Sequence, residues 1–322
     1  MATIGRYVSR LSGYAPALPT PFDDDGNIDS AAFEKFCDVQ VQRGATALVV
    51  CGTTGEAPTL TPAEHRTLIR IAAGVSCGRV PVIAGAGSNS THHAIALTQD
   101  AEARGADAIL SVVPCYNKPT QIGLREHFRT IAQSTGLPII LYDVPSRTAC
   151  GLADETIVRL AEMPQFIGLK DATGDVTRPA RLRSLVGPDF RLLSGDDATA
   201  LAFLAQGGDG CISVTSNVVP GLCRSMFLAY RHGQILRAER LANPISRLTS
   251  ALFRETSPVP LKYVLSLLDI MSPRVRLPLV ELTKQTKAEL GVVIAQMRDE
   301  HPEYVAGNVR ASMQKAYRAA AG

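Results

Sequence analysis

The middle of the chain repeats one unit: a short apolar run rich in β-branched residues, a glycine-rich or polar turn, and a segment with helical periodicity. Strands that alternate with helices in this way pair in parallel through right-handed crossovers, so the pattern predicts an α/β fold. The predicted strands are Tyr14–Leu18, Thr46–Cys51, Val80–Ala84, Asp107–Val113, Pro138–Tyr142, Phe166–Lys170, Phe190–Ser194 and Gly210–Val214.

Eight such units match a closed (β/α)8 TIM barrel, which is usually about 250 residues long. From the strand pattern alone, an open doubly wound sheet is the structural alternative. After about residue 235 the alternation stops. The segments that read as helices there are Leu236–Phe253, Leu261–Leu268 and Leu279–Met297. We therefore expect a barrel domain over residues 1–234 and a C-terminal helical appendage over residues 235–322, with Tyr304–Gly322 as a final helix.

Charge, aromatic content and cysteine spacing argue against several classes of function. The net charge is +3, with eight tyrosines, nine phenylalanines and no tryptophan, which does not suit a nucleic-acid partner. The seven cysteines form no C-x-x-C pair, and the six histidines form no H-E-x-x-H pattern, so neither a disulfide framework nor a metal site is expected. No apolar run approaches the ~18 residues of a membrane span. We expect a soluble, cytoplasmic protein without metal.

A barrel places its active site at the carboxyl ends of its strands, and Lys170 closes the sixth predicted strand. An amine held in a dry barrel mouth can form an imine with a carbonyl substrate, although a strand-end lysine can also extend to solvent. Tyr142, at the end of the fifth strand, could carry protons for that chemistry or simply pack on the rim. Thr53 and Thr54 offer hydroxyl and N–H groups to a carboxylate. The Walker pattern of a phosphate-binding loop is absent there.

Several long motifs in order give the chain a recognisable resemblance. They are Gly52-Thr53-Thr54-Gly55-Glu56, Tyr116-Asn117-Lys118-Pro119-Thr120, Leu141-Tyr142-Asp143-Val144-Pro145-Ser146-Arg147-Thr148, Gly168-Leu169-Lys170-Asp171-Ala172-Thr173-Gly174 and Leu193-Ser194-Gly195-Asp196-Asp197. Over roughly residues 12–290 the chain resembles the dihydrodipicolinate synthases, members of the pyruvate-dependent class I aldolase family that also holds N-acetylneuraminate lyase.

The resemblance implies catalytic roles for four residues. Lys170 matches the lysine that forms a Schiff base with pyruvate, and Tyr142 matches the tyrosine that shuttles protons. Thr53 and Tyr116 match the partners in that proton relay. The resemblance further implies that Tyr116 reaches into the active site of a neighbouring subunit of a homotetramer.

The resemblance also implies how substrates are bound. Thr54 matches the residue that holds the pyruvate carboxylate, and Gly195 and Ile212 match backbone contacts near the imine. Arg147 matches the arginine that receives the carboxylate of L-aspartate 4-semialdehyde. The implied reaction condenses this aldehyde with pyruvate to 4-hydroxy-tetrahydrodipicolinate, the first committed step of lysine biosynthesis, and needs no cofactor beyond the covalent imine.

Other functions on the same scaffold are a related aldolase or dehydratase acting on a sugar acid or another aldehyde, and a non-catalytic binding protein. Arg147 in its Val-Pro-Ser-Arg context favours the semialdehyde. The set Lys170, Tyr142, Thr53 and Tyr116 argues against a pure binder, which needs no imine-forming residues.

One part of the pattern departs from relatives that lysine inhibits. His65 and Asn89 match residues around that inhibitor, but His93 stands at a glutamate position and Cys115 at a tyrosine position. A carboxylate is the natural partner of an ammonium group, and imidazole does not replace it. We therefore expect weak or absent inhibition by lysine.

Overall fold

A computed structural model describes residues 11–305, and all eight predicted strands are present. The strands are β1 Gly13–Pro16, β2 Leu48–Val50, β3 Val82–Gly85, β4 Ala108–Val112, β5 Ile139–Asp143, β6 Phe166–Asp171, β7 Arg191–Ser194 and β8 Gly210–Ser213. The helices that follow them in turn are α1 Ser30–Gln42, α2 Pro62–Ser76, α3 Thr91–Ala103, α4 Gln121–Ala132, α5 Asp154–Ala161, α6 Arg178–Val186, α7 Ala200–Ala205 and α8 Pro220–Arg231. The chain thus alternates strand and helix throughout the predicted barrel.

The sheet closes on itself. Its parallel strands are ordered β1-β8-β7-β6-β5-β4-β3-β2, and the two end strands meet where Ala17 bridges Val49. At this seam the N–H of Leu18 donates to the carbonyl oxygen of Val49 over 2.8 Å, and the N–H of Thr46 donates to that of Tyr14 over 3.0 Å. The predicted (β/α)8 TIM barrel is confirmed, and the open doubly wound sheet is wrong.

Alternation along each strand divides the core into two layers. One set of buried side chains fills the barrel interior, and it includes Ile140, Tyr142 and Ile212. A larger set, which includes Leu141 and Leu169, packs between the strands and the surrounding helices. Residues one position apart on β5 or β6 therefore face opposite layers.

The C-terminal region contains α9 Ile235–Leu252, α10 Val259–Leu267 and α11 Lys284–Glu300, as the sequence predicts in outline. The predicted start of the last of these helices at Leu279 is wrong, because Thr283 caps α11: its hydroxyl accepts the N–H of Thr286. Tyr304 and Val305 are not helical, and the rest of the predicted final helix lies outside the described residues. Within residues 11–305, no helix is long and apolar enough to cross a membrane.

Candidate active site

The ends of β5 and β6 bring a lysine against a tyrosine. Tyr142 and Lys170 are register partners on these neighbouring strands, and each is 7% exposed. The Nζ atom of Lys170 lies 4.2 Å from the centroid of the Tyr142 ring. Lys170 forms no ion pair with any residue between 11 and 305, so its amine faces an aromatic ring rather than a carboxylate. A buried amine without a counter-ion, next to a phenol, suits attack on a carbonyl group.

Gly195 leaves the space that Lys170 occupies. A Cβ atom at this position would lie 3.0 Å from Cε of Lys170 and 2.9 Å from Cβ of Ala172. The N–H of Gly195 donates to the carbonyl oxygen of Asp171 over 2.6 Å, which holds the end of β7 against β6. Ile212 lies on β8 with its side chain in the barrel interior, 1% exposed. The structure thus brings Gly195 and Lys170 into contact and places Ile212 in the same interior layer as Tyr142.

Thr53 and Thr54 lie in a tight turn after β2. The N–H of Gly55 donates to the carbonyl oxygen of Gly52 over 3.0 Å, and the N–H of Glu56 donates to the carbonyl oxygen of Thr53 over 3.1 Å. Thr54 is 5% exposed and Thr53 is half-buried. In the closed ring of eight strands, β2 lies four strands from β6 in either direction. This turn therefore stands across the barrel mouth from Lys170.

Tyr116 and Arg147 are exposed, unlike the other predicted site residues. Tyr116 is 90% exposed and has a φ of +71°, in the left-handed region that non-glycine residues rarely adopt. The Asn117 side chain steadies the loop by donating to the carbonyl oxygen of Asn89 over 2.8 Å. Arg147 lies on a single helical turn, Pro145–Thr148, directly after β5. The structure therefore does not bury Tyr116 with Lys170 inside one subunit.

A buried charge cluster behind Tyr142 and Lys170 was not foreseen from the sequence. Asp143 and Asp171 are the next register partners on β5 and β6, so they face the helix layer. Nη1 of Arg178 donates to both carboxylates, over 2.8 and 3.4 Å. Burial raises the pKa of Asp143, and the guanidinium of Arg178 opposes that rise. The signal was present in the sequence, because an aspartate follows the functional residue on both strands.

Asp197 supports the end of β8. It is buried and accepts the N–H groups of Val214 and Thr215 over 2.8 and 3.1 Å, as well as the hydroxyl of Ser213. Its side chain therefore provides the acceptor that the backbone N–H groups after this strand need.

The residues predicted to surround an inhibitory lysine have no carboxylate among them. His65 is buried, with Nε2 2.8 Å from the carbonyl oxygen of Gly85, and burial lowers the pKa of its ring. His93 is exposed, with Nδ1 3.5 Å from the hydroxyl of Ser88. Cys115 is exposed as well. Within the described part of the chain, no group of three or more histidine, cysteine or acidic residues could hold a metal ion.

Comparison with known proteins identifies one consistent group. The profile of the dihydrodipicolinate synthetase family matches residues 10–297. The chain is similar to the 4-hydroxy-tetrahydrodipicolinate synthase of Rhodospirillum centenum, with 50% identity over 275 residues, which cover 85% of this chain and 94% of the relative.

Solved structures agree with this result. A dihydrodipicolinate synthase from Bacillus anthracis is 42% identical, with a TM-score of 0.86 over 88% of this chain and 97% of the other. The chloride-inhibited dihydrodipicolinate synthase of Acinetobacter baumannii, complexed with pyruvate, is 41% identical, with a TM-score of 0.86 over 88% of this chain and 98% of the other.

Proposed function

The chain belongs to the dihydrodipicolinate synthetase family, and from this premise we propose that it condenses pyruvate with L-aspartate 4-semialdehyde to 4-hydroxy-tetrahydrodipicolinate. This lyase reaction is the first committed step of lysine biosynthesis. The observation that carries the proposal is the buried Lys170 amine, 4.2 Å from the Tyr142 ring centroid at the mouth of the barrel. No metal or organic cofactor is required, because the imine itself withdraws electrons from the carbon that must react.

Lys170 supplies the nucleophile of the reaction. Its nitrogen attacks C2 of pyruvate, and the resulting carbinolamine loses water to form the imine. Tyr142, whose ring lies beside the amine, delivers the proton that the departing hydroxyl group needs. The protonated imine then lets the pyruvate methyl group lose a proton, which leaves an enamine.

Carbon–carbon bond formation and release follow from the enamine. Its terminal carbon attacks the aldehyde carbon of the semialdehyde, and the aldehyde oxygen takes a proton to become the 4-hydroxyl group. The amino group of the same molecule then attacks the imine carbon, closes the ring and expels the Lys170 amine. One water leaves for each pair of substrates, and the enzyme returns to its starting state.

Groups on opposite sides of the mouth would hold the two substrate carboxylates. We assign the pyruvate carboxylate to the turn that carries Thr53 and Thr54, which lies opposite Lys170 and offers hydroxyl and N–H donors. Gly195 and Ile212 would contribute backbone contacts near the imine. The exposed guanidinium of Arg147, just after β5, suits the carboxylate of the semialdehyde.

The exposure of Tyr116 supports a role in a second subunit. A phenol that is 90% exposed and carried on a left-handed residue is available to a neighbouring copy of the chain. We therefore propose that Tyr116 completes the proton relay of Tyr142 and Thr53 across an interface, in a homotetramer.

We also propose that the barrel domain ends at residue 234, between α8 and α9. We further propose that the protein acts in the cytoplasm, since its seven cysteines are free.

A coupled assay tests the proposed reaction. Purified protein, pyruvate and L-aspartate 4-semialdehyde are mixed with dihydrodipicolinate reductase, and consumption of NADPH is followed. We expect turnover that depends on both substrates and is lost in Lys170→Arg, which keeps a long basic side chain but forms no imine. Folded protein without turnover would contradict the assigned aldehyde, and turnover by Lys170→Arg would contradict the imine.

A further inference from the structure

The turn that carries Thr53 and Thr54 ends in a strained residue. Glu56 has a φ of +55° and is 2% exposed. Its N–H donates to the carbonyl oxygen of Thr53 over 3.1 Å, so the conformation of Glu56 fixes the turn directly. A non-glycine residue persists in this left-handed region only where its surroundings over-determine it.

The surroundings that hold Glu56 come from the C-terminal part of the chain. Nζ of Lys262, on α10, lies 2.8 Å from Oε1 of Glu56, and the two side chains are 0% and 1% exposed. The N–H of Arg276 donates to Oε2 over 3.0 Å. Both carboxylate oxygens are therefore engaged by residues that lie 206 and 220 positions further along the sequence.

Glu56 is the counter-ion of Lys262. The other groups that face the lysine are the ring of Phe22, with its centroid 4.2 Å from Nζ, and the charge of Arg276. Arg276 has a carboxylate of its own, because its guanidinium binds both oxygens of Glu64 over 2.5 and 3.0 Å. Removing Lys262 would therefore leave Glu56 buried without its ammonium partner.

Stability alone does not explain this arrangement. A buried ion pair is often no more stabilising than apolar residues of the same volume. Burial lowers the pKa of Lys262 to about 8, against the attraction of Glu56. Because this fully buried pair is joined to a turn at the barrel mouth, it can fix the position of that turn.

Resting on the function proposed above, we propose that Lys262 is a positioning residue: through Glu56 it holds Thr53 and Thr54 in place to receive the pyruvate carboxylate. The C-terminal helical region is then part of the pyruvate site without touching substrate. Tyr142 on β5 and Lys170 on β6 lie on the far side of the mouth and do not depend on this contact.

The test measures pyruvate binding by trapping the imine. Each variant is titrated with pyruvate and reduced with borohydride, and the pyruvate concentration that gives half-maximal labelling is determined. We expect Lys262→Met to raise that concentration by about ten- to a hundred-fold, because small displacements of binding groups have effects of this size. The KM for the semialdehyde should stay within about twofold of wild type, whereas simple loss of folded protein would lower only the amount labelled.

Two further variants separate positioning from folding. Lys287→Met removes a lysine of the same region from an exposed pair with Glu281, and it should leave pyruvate labelling unchanged. The double variant Glu56→Gln with Lys262→Met removes both buried charges; it should recover the stability lost in Lys262→Met but keep the weakened pyruvate binding. If the double variant binds pyruvate like wild type, or if Lys262→Met behaves like Lys287→Met, the proposal is wrong.

The trapping readout is independent of the aldehyde. Wild-type protein that is labelled by pyruvate but does not consume semialdehyde would contradict the proposed reaction. The shift between wild type and Lys262→Met would still decide whether Lys262 positions the turn.

Discussion

The two sides of the barrel mouth are supported in different ways. Behind Lys170 and Tyr142, Arg178 bridges aspartates that lie only 7 and 35 positions away in sequence. Behind Thr53 and Thr54, Glu56 is held by Lys262, 206 positions away. Lys170, to which we assign the covalent bond, and Tyr142 are therefore supported from within the barrel. The turn assigned to the substrate carboxylate depends on the helices added after it.

The two supports also differ in how their buried charges are balanced. On the β5 and β6 side, one arginine lies between two buried carboxylates, and Oδ1 of Asp143 has no hydrogen-bond partner within the described residues. Like charges on register partners repel unless a cation lies between them. On the β2 side, one lysine faces one carboxylate. Removing the cation alone destabilises either support, but only the first support must also keep two like charges apart.

The largest expected effect comes from removing the proposed nucleophile while leaving both supports in place. Lys170→Ala should lower the condensation rate by at least about ten-thousand-fold, as loss of a covalent catalyst does in other enzymes. The coupled NADPH assay measures the rate. Circular dichroism and thermal unfolding should match wild type, because Lys170 makes no ion pair with the described residues. Activity near that of wild type would show that another group forms the imine.

Arg178→Met tests the support behind Lys170. The substitution leaves Asp143 and Asp171 buried and uncompensated, which typically costs about 3–5 kcal/mol. Urea unfolding measures the change in free energy. The matched control is Arg181→Met on the same helix, where the arginine is 49% exposed and pairs with Asp154 and Asp175, and where we expect a loss of about 0–1 kcal/mol. Equal losses in the two variants would contradict the role of Arg178.

The pH dependence of stability tests the support behind Thr53. The pKa of Lys262 is lowered by burial from 10.5 to about 8. Between these values the native state binds fewer protons than the unfolded state, so the free energy of unfolding rises with pH. From pH 8 to about pH 10, wild type should gain about 2–3 kcal/mol relative to Glu56→Gln with Lys262→Met. A constant difference across that range would mean that the pKa of Lys262 is not lowered by burial.

The smallest expected effect, which depends on neither support, is that of added lysine on the condensation rate. With His93 and Cys115 in place of a carboxylate and a phenol, millimolar lysine should leave the rate within about twofold of its uninhibited value. The coupled assay with added lysine measures this. His93→Glu combined with Cys115→Tyr should increase the sensitivity. Full inhibition of the unmodified protein at sub-millimolar lysine would contradict the expectation.

The sequence allows the fold to be predicted because it follows short-range patterns, whereas the roles of Lys170 and Tyr142 are implied by the resemblance of its motifs. Eight apolar runs with turns define the strands, and parallel strands bring the ends that carry Lys170 and Tyr142 to one mouth. The supports were not predicted because they depend on contacts that no local pattern encodes. Arg178 acts through the register of β5 against β6, and Lys262 acts across most of the chain. The start of α11 was misplaced because an apolar segment around Leu279 resembles a helix, whereas the capping residue Thr283 decides where it begins.

Locating the covalent bond tests the proposed reaction most directly. Wild-type protein is incubated with pyruvate, reduced with borohydride, digested and analysed by mass spectrometry. We expect one reduced pyruvyl group on Lys170 and none in protein incubated without pyruvate. Label on another lysine, or no label on protein that still condenses pyruvate with the semialdehyde, would contradict it.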